Sequence, residues 1–268
     1  MTIYRAVEFQ GMIVSRRDYK ERDMLVTMYT DRFGYRTFYV RGAHKRGFRL
    51  AAAILPFTWG TYVGNVNDNG LSYINAAKNL QQWAGLYQDI MLNAYGTYLL
   101  ELARHAVRGD LALAQQWFPR IRRALAMIDD GLDPQVVTNI VEVQLWQCFG
   151  VMPHLTDCVV CHEQTPPFDF SLEMGGLLCQ RHWGRDPQRL HLDAHTIYFL
   201  RQFTVLNLER VNQIDIRPTT KRNLQLVIDR VYDHYVDLQL RSREFLRKMM
   251  VAPDLQVRRR GANSDNRK

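Results

Sequence analysis

Three of the four cysteines in this 268-residue chain fall in one short stretch, CVVCHEQTPPFDFSLEMGGLLCQRH, from Cys158 to His182. It contains two ligand pairs, Cys158-x-x-Cys161 and Cys179-x-x-His182, with seventeen residues between them. Each pair can bite one ion through a tight turn. Three thiolates and one imidazole are the donor set of a closed, tetrahedral structural zinc site, so one structural Zn2+ is the expected cofactor. Gly175 and Gly176, just before the second pair, permit the unusual backbone angles such a knuckle needs. His162 could stand in for His182, but it follows Cys161 directly and would reach the same ion with awkward geometry. Cys148 lies in an apolar helical pattern and reads as a core thiol.

Catalytic metal chemistry needs an open coordination position and a nearby acid or base, and four good protein ligands leave no such position. His162-Glu163 begins like a zinc-protease motif, but HEQTP lacks the second histidine and carries prolines that stop a helix. The zinc-deaminase pattern fails for want of an H-x-E paired with P-C-x-x-C. There is no G-x-x-x-x-G-K-[ST] phosphate loop, so nucleotide-driven work is not indicated. What remains is binding.

Charge points to the partner. The net charge is +8, with an isoelectric point near 9.4, and it is unevenly spread. Residues 1–50 carry eleven Lys/Arg against five Asp/Glu, and residues 221–268 carry twelve against six, while the middle is mildly acidic. Basic ends of this kind suit a polyanion, most often nucleic acid. Arg16, Arg17, Lys20 and Arg22 crowd one expected turn, and Arg41, His44, Lys45, Arg46 and Arg49 crowd another. Between them, strand alternation in YRTFYVR puts Tyr35, Thr37, Tyr39 and Arg41 on one face and Arg36, Phe38 and Val40 on the other. The first face offers aromatic rings for stacking bases beside a guanidinium for phosphate.

These residues need elements to hold them. Five short segments rich in β-branched and aromatic residues, separated by charged or glycine-containing turns, fill residues 1–80 and predict a small antiparallel barrel. An SH3-like barrel is a rival, but five strands with a basic surface favour an OB-fold. From Gln81 the period becomes helical, with Met91, Tyr95, Tyr98 and Leu102 as one stripe. Pro119 and DDGLDP are expected to break the helices that follow, the pattern resuming over residues 136–149. Asp193 caps a helix, and a long final helix is predicted from about Thr220 to Met250. The expectation is therefore an α+β multidomain chain. A five-stranded OB-fold barrel occupies residues 1–80, a helical domain residues 81–152 and 185–250, an inserted zinc finger residues 153–184, and a disordered basic tail residues 251–268. No apolar run has the length of a membrane span and the first residues lack the pattern of a signal peptide, so a cytoplasmic, nucleoid-associated protein with no membrane partner is expected.

Several motifs in order, DYKERDMLVTMYTDRFG, VRGAHK, LPF, YLLEL, CFGVMPHLTDCVVC and GGLLC, resemble the RecO family of DNA repair and recombination mediators over Val7 to about His182. The helical remainder is less distinctive. The resemblance implies an N-terminal OB-fold, a helical domain and an inserted zinc finger. It also implies a protein that is not an enzyme: one that binds single- and double-stranded DNA and anneals strands coated by single-stranded-DNA-binding protein. Such a protein acts with RecR to load RecA, and so meets RecA only indirectly. It contacts the acidic, apolar C-terminal tail of the single-stranded-DNA-binding protein, for which the basic final helix is one place to look. This chain departs from the common four-cysteine finger in having His182 last. The rival reading is an adaptor whose finger and helices bind proteins, the basic ends only steering the encounter.

Overall fold

The structure is a computed structural model and describes residues 2–68 and 70–251, the side chain of Val251 excepted. The tail expected over 251–268 lies, beyond Val251, outside the described residues. Five strands come first along the chain: β1 (Ile3–Tyr19), β2 (Asp23–Thr30), β3 (Gly34–Val40), β4 (Thr58–Asn67) and β5 (Ser72–Gln82). They close into a barrel in the order β1-β2-β3-β5-β4. All pairs are antiparallel except β3 with β5, where Phe38 faces Ser72 and Tyr39 faces Tyr73. The long β1 serves two neighbours because its register shifts at Tyr4/Val7 and Ile13/Ser15, bending it around the barrel. Alternation makes the core: Phe9, Ile13, Val26, Met28, Phe38, Val40, Tyr62 and Val66 point inward and are buried together.

The helices are α1 (Ala84–Gln88), α2 (Ile90–Ala106), α3 (Leu111–Asp129), α4 (Pro134–Leu145), α5 (Ala194–Val205), α6 (Pro218–Val231) and α7 (Arg241–Val251). Aspartates start four of them: Asp89, Asp110, Asp133 and Asp193 each accept hydrogen bonds from first-turn N–H groups. Two expectations are corrected. Pro119 does not break its segment; α3 runs through it, because Ala114, Trp117, Phe118, Ile121, Ala124, Leu125 and Ile128 bury a stripe that offsets the one lost backbone bond. The final helix is not continuous. After α6 a wide turn spans Tyr232–Val236, and Asp237 takes a left-handed conformation (φ +46°) that ends it. Helix α7 then folds back, Arg243 bonding Asp229 and Asp233.

Between α4 and α5 lies a three-stranded sheet in the order β6-β8-β7, from β6 (His154–Cys158), β7 (Phe168–Ser171) and β8 (Gly176–Cys179). Gly175 adopts φ +69°, and a Cβ on Gly176 would overlap the His154 carbonyl oxygen, so β6 and β8 need this pair. The insertion buries Leu155, Phe168, Phe170, Leu177 and Leu178 in the same core cluster as the helices. Arg201 of α5 ties it down, donating to the carbonyls of Leu155 (2.6 Å) and Thr156 (2.8 Å) with its guanidinium over the Phe168 ring.

Candidate nucleic-acid interface and metal centre

The two basic segments meet at one end of the barrel. The connection after β1 and the loop after β3 are pinned by three bonds: the His44 N–H donates to the Arg22 carbonyl (3.3 Å), His44 pairs with Asp18 (3.1 Å), and the Gly42 N–H donates to Asp23 Oδ1 (2.8 Å). Together they line a cleft of about 380 Å3 that includes Lys20, Arg22, Arg41 and Lys45. Arg16, Arg17, Lys20, Arg22, Arg41, His44, Lys45, Arg46 and Arg49 all reach solvent, His44 and Arg49 included. Arg49 donates to the Asn75 carbonyl (3.2 Å), drawing the loop toward β5. Among these residues only His44 has an ion-pair partner within 4.0 Å among the described residues, and although Glu21 and Asp23 also line the cleft, this end keeps an excess of positive charge.

The two tyrosines of the expected stacking face part company. Tyr39 stays at the barrel's open end, its hydroxyl donating to Asp23, whose carboxyl this bond and the Gly42 N–H hold below its ordinary value. Tyr35, four residues earlier on the same face, is half-buried where the barrel meets α2, and its ring is engaged in packing there. Its ring stacks on Tyr29 at 4.1 Å between centroids, and its hydroxyl donates to the Leu100 carbonyl of α2 (2.9 Å). Two rings that sequence reasoning missed flank Tyr39 instead. Tyr19 and Tyr73 stand edge-on to Tyr39 on either side, at 6.0 and 5.8 Å, and both are exposed. Lys20 lies over the Tyr19 ring at 5.5 Å. Tyr73 joins the row only through the β3–β5 pairing, a long-range contact that local patterning does not signal.

In the insertion between α4 and α5, Cys158, Cys161, Cys179 and His182 converge, their ligand atoms all within 4.8 Å of one another. Three edges are 3.7 Å (Cys161 Sγ to Cys179 Sγ), 3.6 Å (Cys158 Sγ to His182 Nδ1) and 3.3 Å (Cys179 Sγ to His182 Nδ1). A tetrahedron with ordinary zinc bond lengths has edges of about 3.4–3.8 Å, so the four residues fit a zinc-sized ion. Charge agrees with geometry. Burial raises the Cys158 thiol, but N–H groups of Cys179, Val160 and Cys161 and the His182 ring outweigh it, leaving Cys158 at about 6. Cys161 is raised, despite the Glu163 N–H, by burial and by the adjoining thiols. Neighbouring thiols resist ionising together, and a cation at their centre would remove that resistance. His162 is not part of this group; it lies beside His154 and Asp157.

A closed five-stranded barrel with a basic, ring-lined end, a helical region after it, and a cluster of three cysteines and one histidine define an α+β protein. Comparison with known proteins narrows the class. The family profile described as Recombination protein O N terminal matches residues 1–83, and Recombination protein O C terminal matches residues 87–244. The chain is 47% identical over 248 residues to the DNA repair protein RecO of Ligilactobacillus salivarius (strain UCC118), covering 92% of this chain and 95% of that one. It is 47% identical over 242 residues to that of Limosilactobacillus reuteri (strain DSM 20016), covering 90% and 92%. With that of Enterococcus faecalis (strain ATCC 700802 / V583) the identity is 40% over 242 residues, covering 90% and 92%. The chain belongs to the RecO family of DNA repair proteins.

Proposed function

We propose that this protein is a recombination mediator that binds single- and double-stranded DNA and anneals complementary strands coated by single-stranded-DNA-binding protein. The observation that carries the reading is the convergence of two basic segments with the Tyr19, Tyr39 and Tyr73 rings at one barrel end. In an OB-fold the first inter-strand loop and strand 3 are among the parts that bind oligonucleotides; the basic turn at Lys20 and Arg22 and the Tyr39 ring belong to these, while Tyr19, Tyr73 and the basic loop after β3 extend the surface beside them. Bases stack on rings while Lys and Arg take phosphates, and neutralising both backbones lowers the repulsion between pairing strands. No bond-breaking step is assigned. One Zn2+ at Cys158, Cys161, Cys179 and His182 would hold the knuckles of the finger and supply folding energy, not catalysis.

The proposed partners are RecR and, through joint loading, RecA. For the acidic, apolar tail of the single-stranded-DNA-binding protein, a cleft of about 490 Å3 beside α2 and α7 offers Val14, Ala94 and Phe245 with Arg104 and Arg241 as its two cations, Glu101 lying beside them.

The test is annealing of two oligonucleotides pre-coated with the cognate single-stranded-DNA-binding protein, without ATP. Acceleration is expected, and it should collapse in a variant with Arg41, Lys45 and Arg46 reversed to Glu. Retained annealing in that variant, or intact DNA binding with no acceleration from the parent, would shift the reading to a protein-binding adaptor.

A further inference from the structure

A second group of metal-ligating side chains stands outside the four-residue cluster: His154, Asp157 and His162, whose ligand atoms all lie within 4.8 Å of one another. His154 Nε2 is 2.6 Å and His162 Nδ1 3.1 Å from the same oxygen, Asp157 Oδ1. The three residues come from both ends of β6 and from the knuckle after it. His162 is held by that knuckle in a left-handed conformation (φ +58°), its N–H donating to the Cys158 carbonyl (2.8 Å). Left-handed backbone is rare for a residue with a side chain, and here it turns the imidazole back over Asp157.

We propose that His154, Asp157 and His162 bind a second divalent transition-metal ion, distinct from the thiolate centre. Two imidazoles and one carboxylate suit borderline ions such as Zn2+, Ni2+ or Cu2+ rather than Mg2+ or Ca2+, which favour oxygen-rich sites. Bonds of about 2.1 Å separate adjacent ligands by about 3.0 Å in an octahedron and about 3.4 Å in a tetrahedron. The His162–Asp157 distance of 3.1 Å already lies in that range, and the His154–Asp157 distance needs to open by a few tenths of an ångström. The other polar groups nearby are largely engaged: Glu163 pairs with Arg181 (3.1 Å), and Thr156 Oγ1 is 3.1 Å from His154 Nε2. The arrangement is open. The His162 side chain is 75% exposed and His154 42%, while Asp157 at 16% is turned inward, so water completes the coordination and the ion exchanges readily. Arg201, anchored to the carbonyls beside Asp157, opposes a cation there and makes this ion the weaker of the two. Its effect would be to tie the start of β6 to the knuckle.

The experiment uses the full, untagged chain carrying one equivalent of Zn2+, titrated calorimetrically with Ni2+ while elemental analysis follows the zinc retained. One further ion per chain is expected. Its affinity should fall at least about tenfold in His154→Ala and in His162→Ala, and stay unchanged in the exposed control His195→Ala. Asp157→Asn keeps an oxygen acceptor for both rings but loses the charge. It should also lose the ion, and it covers the case in which alanine loosens the finger. No uptake beyond the retained zinc would overturn the proposal. So would a second ion that survives in the His154→Ala/His162→Ala double variant or binds Asp157→Asn at full strength.

Discussion

Tyr39 and Tyr35 lie on one face of one strand, yet their surroundings divide them, and the division can be measured. Tyr19, Tyr39 and Tyr73 form a row at the barrel's open end, whereas Tyr35 is enclosed between Tyr29 and the Leu100 carbonyl. If the row stacks bases, Tyr19→Ala and Tyr73→Ala should each weaken binding of an unstructured oligonucleotide by about 1–3 kcal/mol in fluorescence titrations. Tyr39→Phe, which keeps the ring and loses only the bond to Asp23, should bind nearly as the parent does. Affinity unchanged in both alanine variants would remove stacking from the account. The basic residues act differently. Reversing Arg41, Lys45 and Arg46 leaves phosphates without their counter-charges, so the slope of log affinity against log salt should flatten by about 0.7 for each phosphate no longer neutralised on a single strand.

The insertion between α4 and α5 is an element whose sheet would not depend wholly on a metal held by Cys158, Cys161, Cys179 and His182. The segment's own sequence is short and polar, but Phe170, Leu177 and Leu178 are wholly buried against the helices. Chelation should therefore raise amide hydrogen exchange around residues 158–165 and 179–185 while β7 and β8 stay protected. Exchange of the whole sheet at once would show that the metal holds all of it. Phe170→Ala, by contrast, should cost about 3–5 kcal/mol with metal bound. Among the helices, α2, α4 and α6 share a buried polar group: Glu142 accepts from Tyr98 (2.6 Å) and Asn139 (2.9 Å), and Asn139 also donates to Gln225 (2.9 Å). Burial pushes the Glu142 carboxyl up to about 7 from an ordinary 4.5, against those hydrogen bonds. The folded protein then holds a proton that the unfolded chain releases, so this group's contribution to stability falls as pH rises from about 4.5 through 7 and levels beyond. The slope reaches at most about 1.4 kcal/mol per pH unit. Urea titrations across that window should show it, and Glu142→Gln should flatten it. Features set by neighbours in the chain were legible in the sequence: five strands, the Asp193 cap, the cysteine and histidine spacing. Those set from a distance were not. Nothing near Tyr35 announces α2, nothing near Pro119 announces the packing that carries a helix through it, and the end of the helical pattern at Asp237 depends on Arg243 returning to Asp229 and Asp233.

At the scale of the whole molecule, the barrel and the helices meet through an aromatic clamp. The Tyr29 hydroxyl donates to the Ala114 carbonyl of α3 (2.6 Å), its ring takes the edge of Phe118 at 5.4 Å, and Tyr35 stacks behind it. On the far side Trp59 of β4 stacks with Trp83 at 6.2 Å and lies under the Arg122 guanidinium of α3. Burial lifts the phenols of Tyr29 and Tyr35 far above their ordinary value, so both remain neutral donors at any working pH. Removing a donor alone is a small loss: Tyr29→Phe should cost about 1 kcal/mol and leave one cooperative melt. Tyr29→Ala empties the clamp at a cost of about 3–5 kcal/mol and should split the calorimetric melt into separate barrel and helical transitions. The Tyr19, Tyr39 and Tyr73 row lies at the opposite end of β3, so oligonucleotide affinity should change little in that variant. If annealing of coated strands needs the barrel and the α2–α7 cleft to act on one complex in a fixed relation, it should still fall. A single transition with annealing at the parent's rate would mean that the clamp fastens the barrel without setting how the protein works.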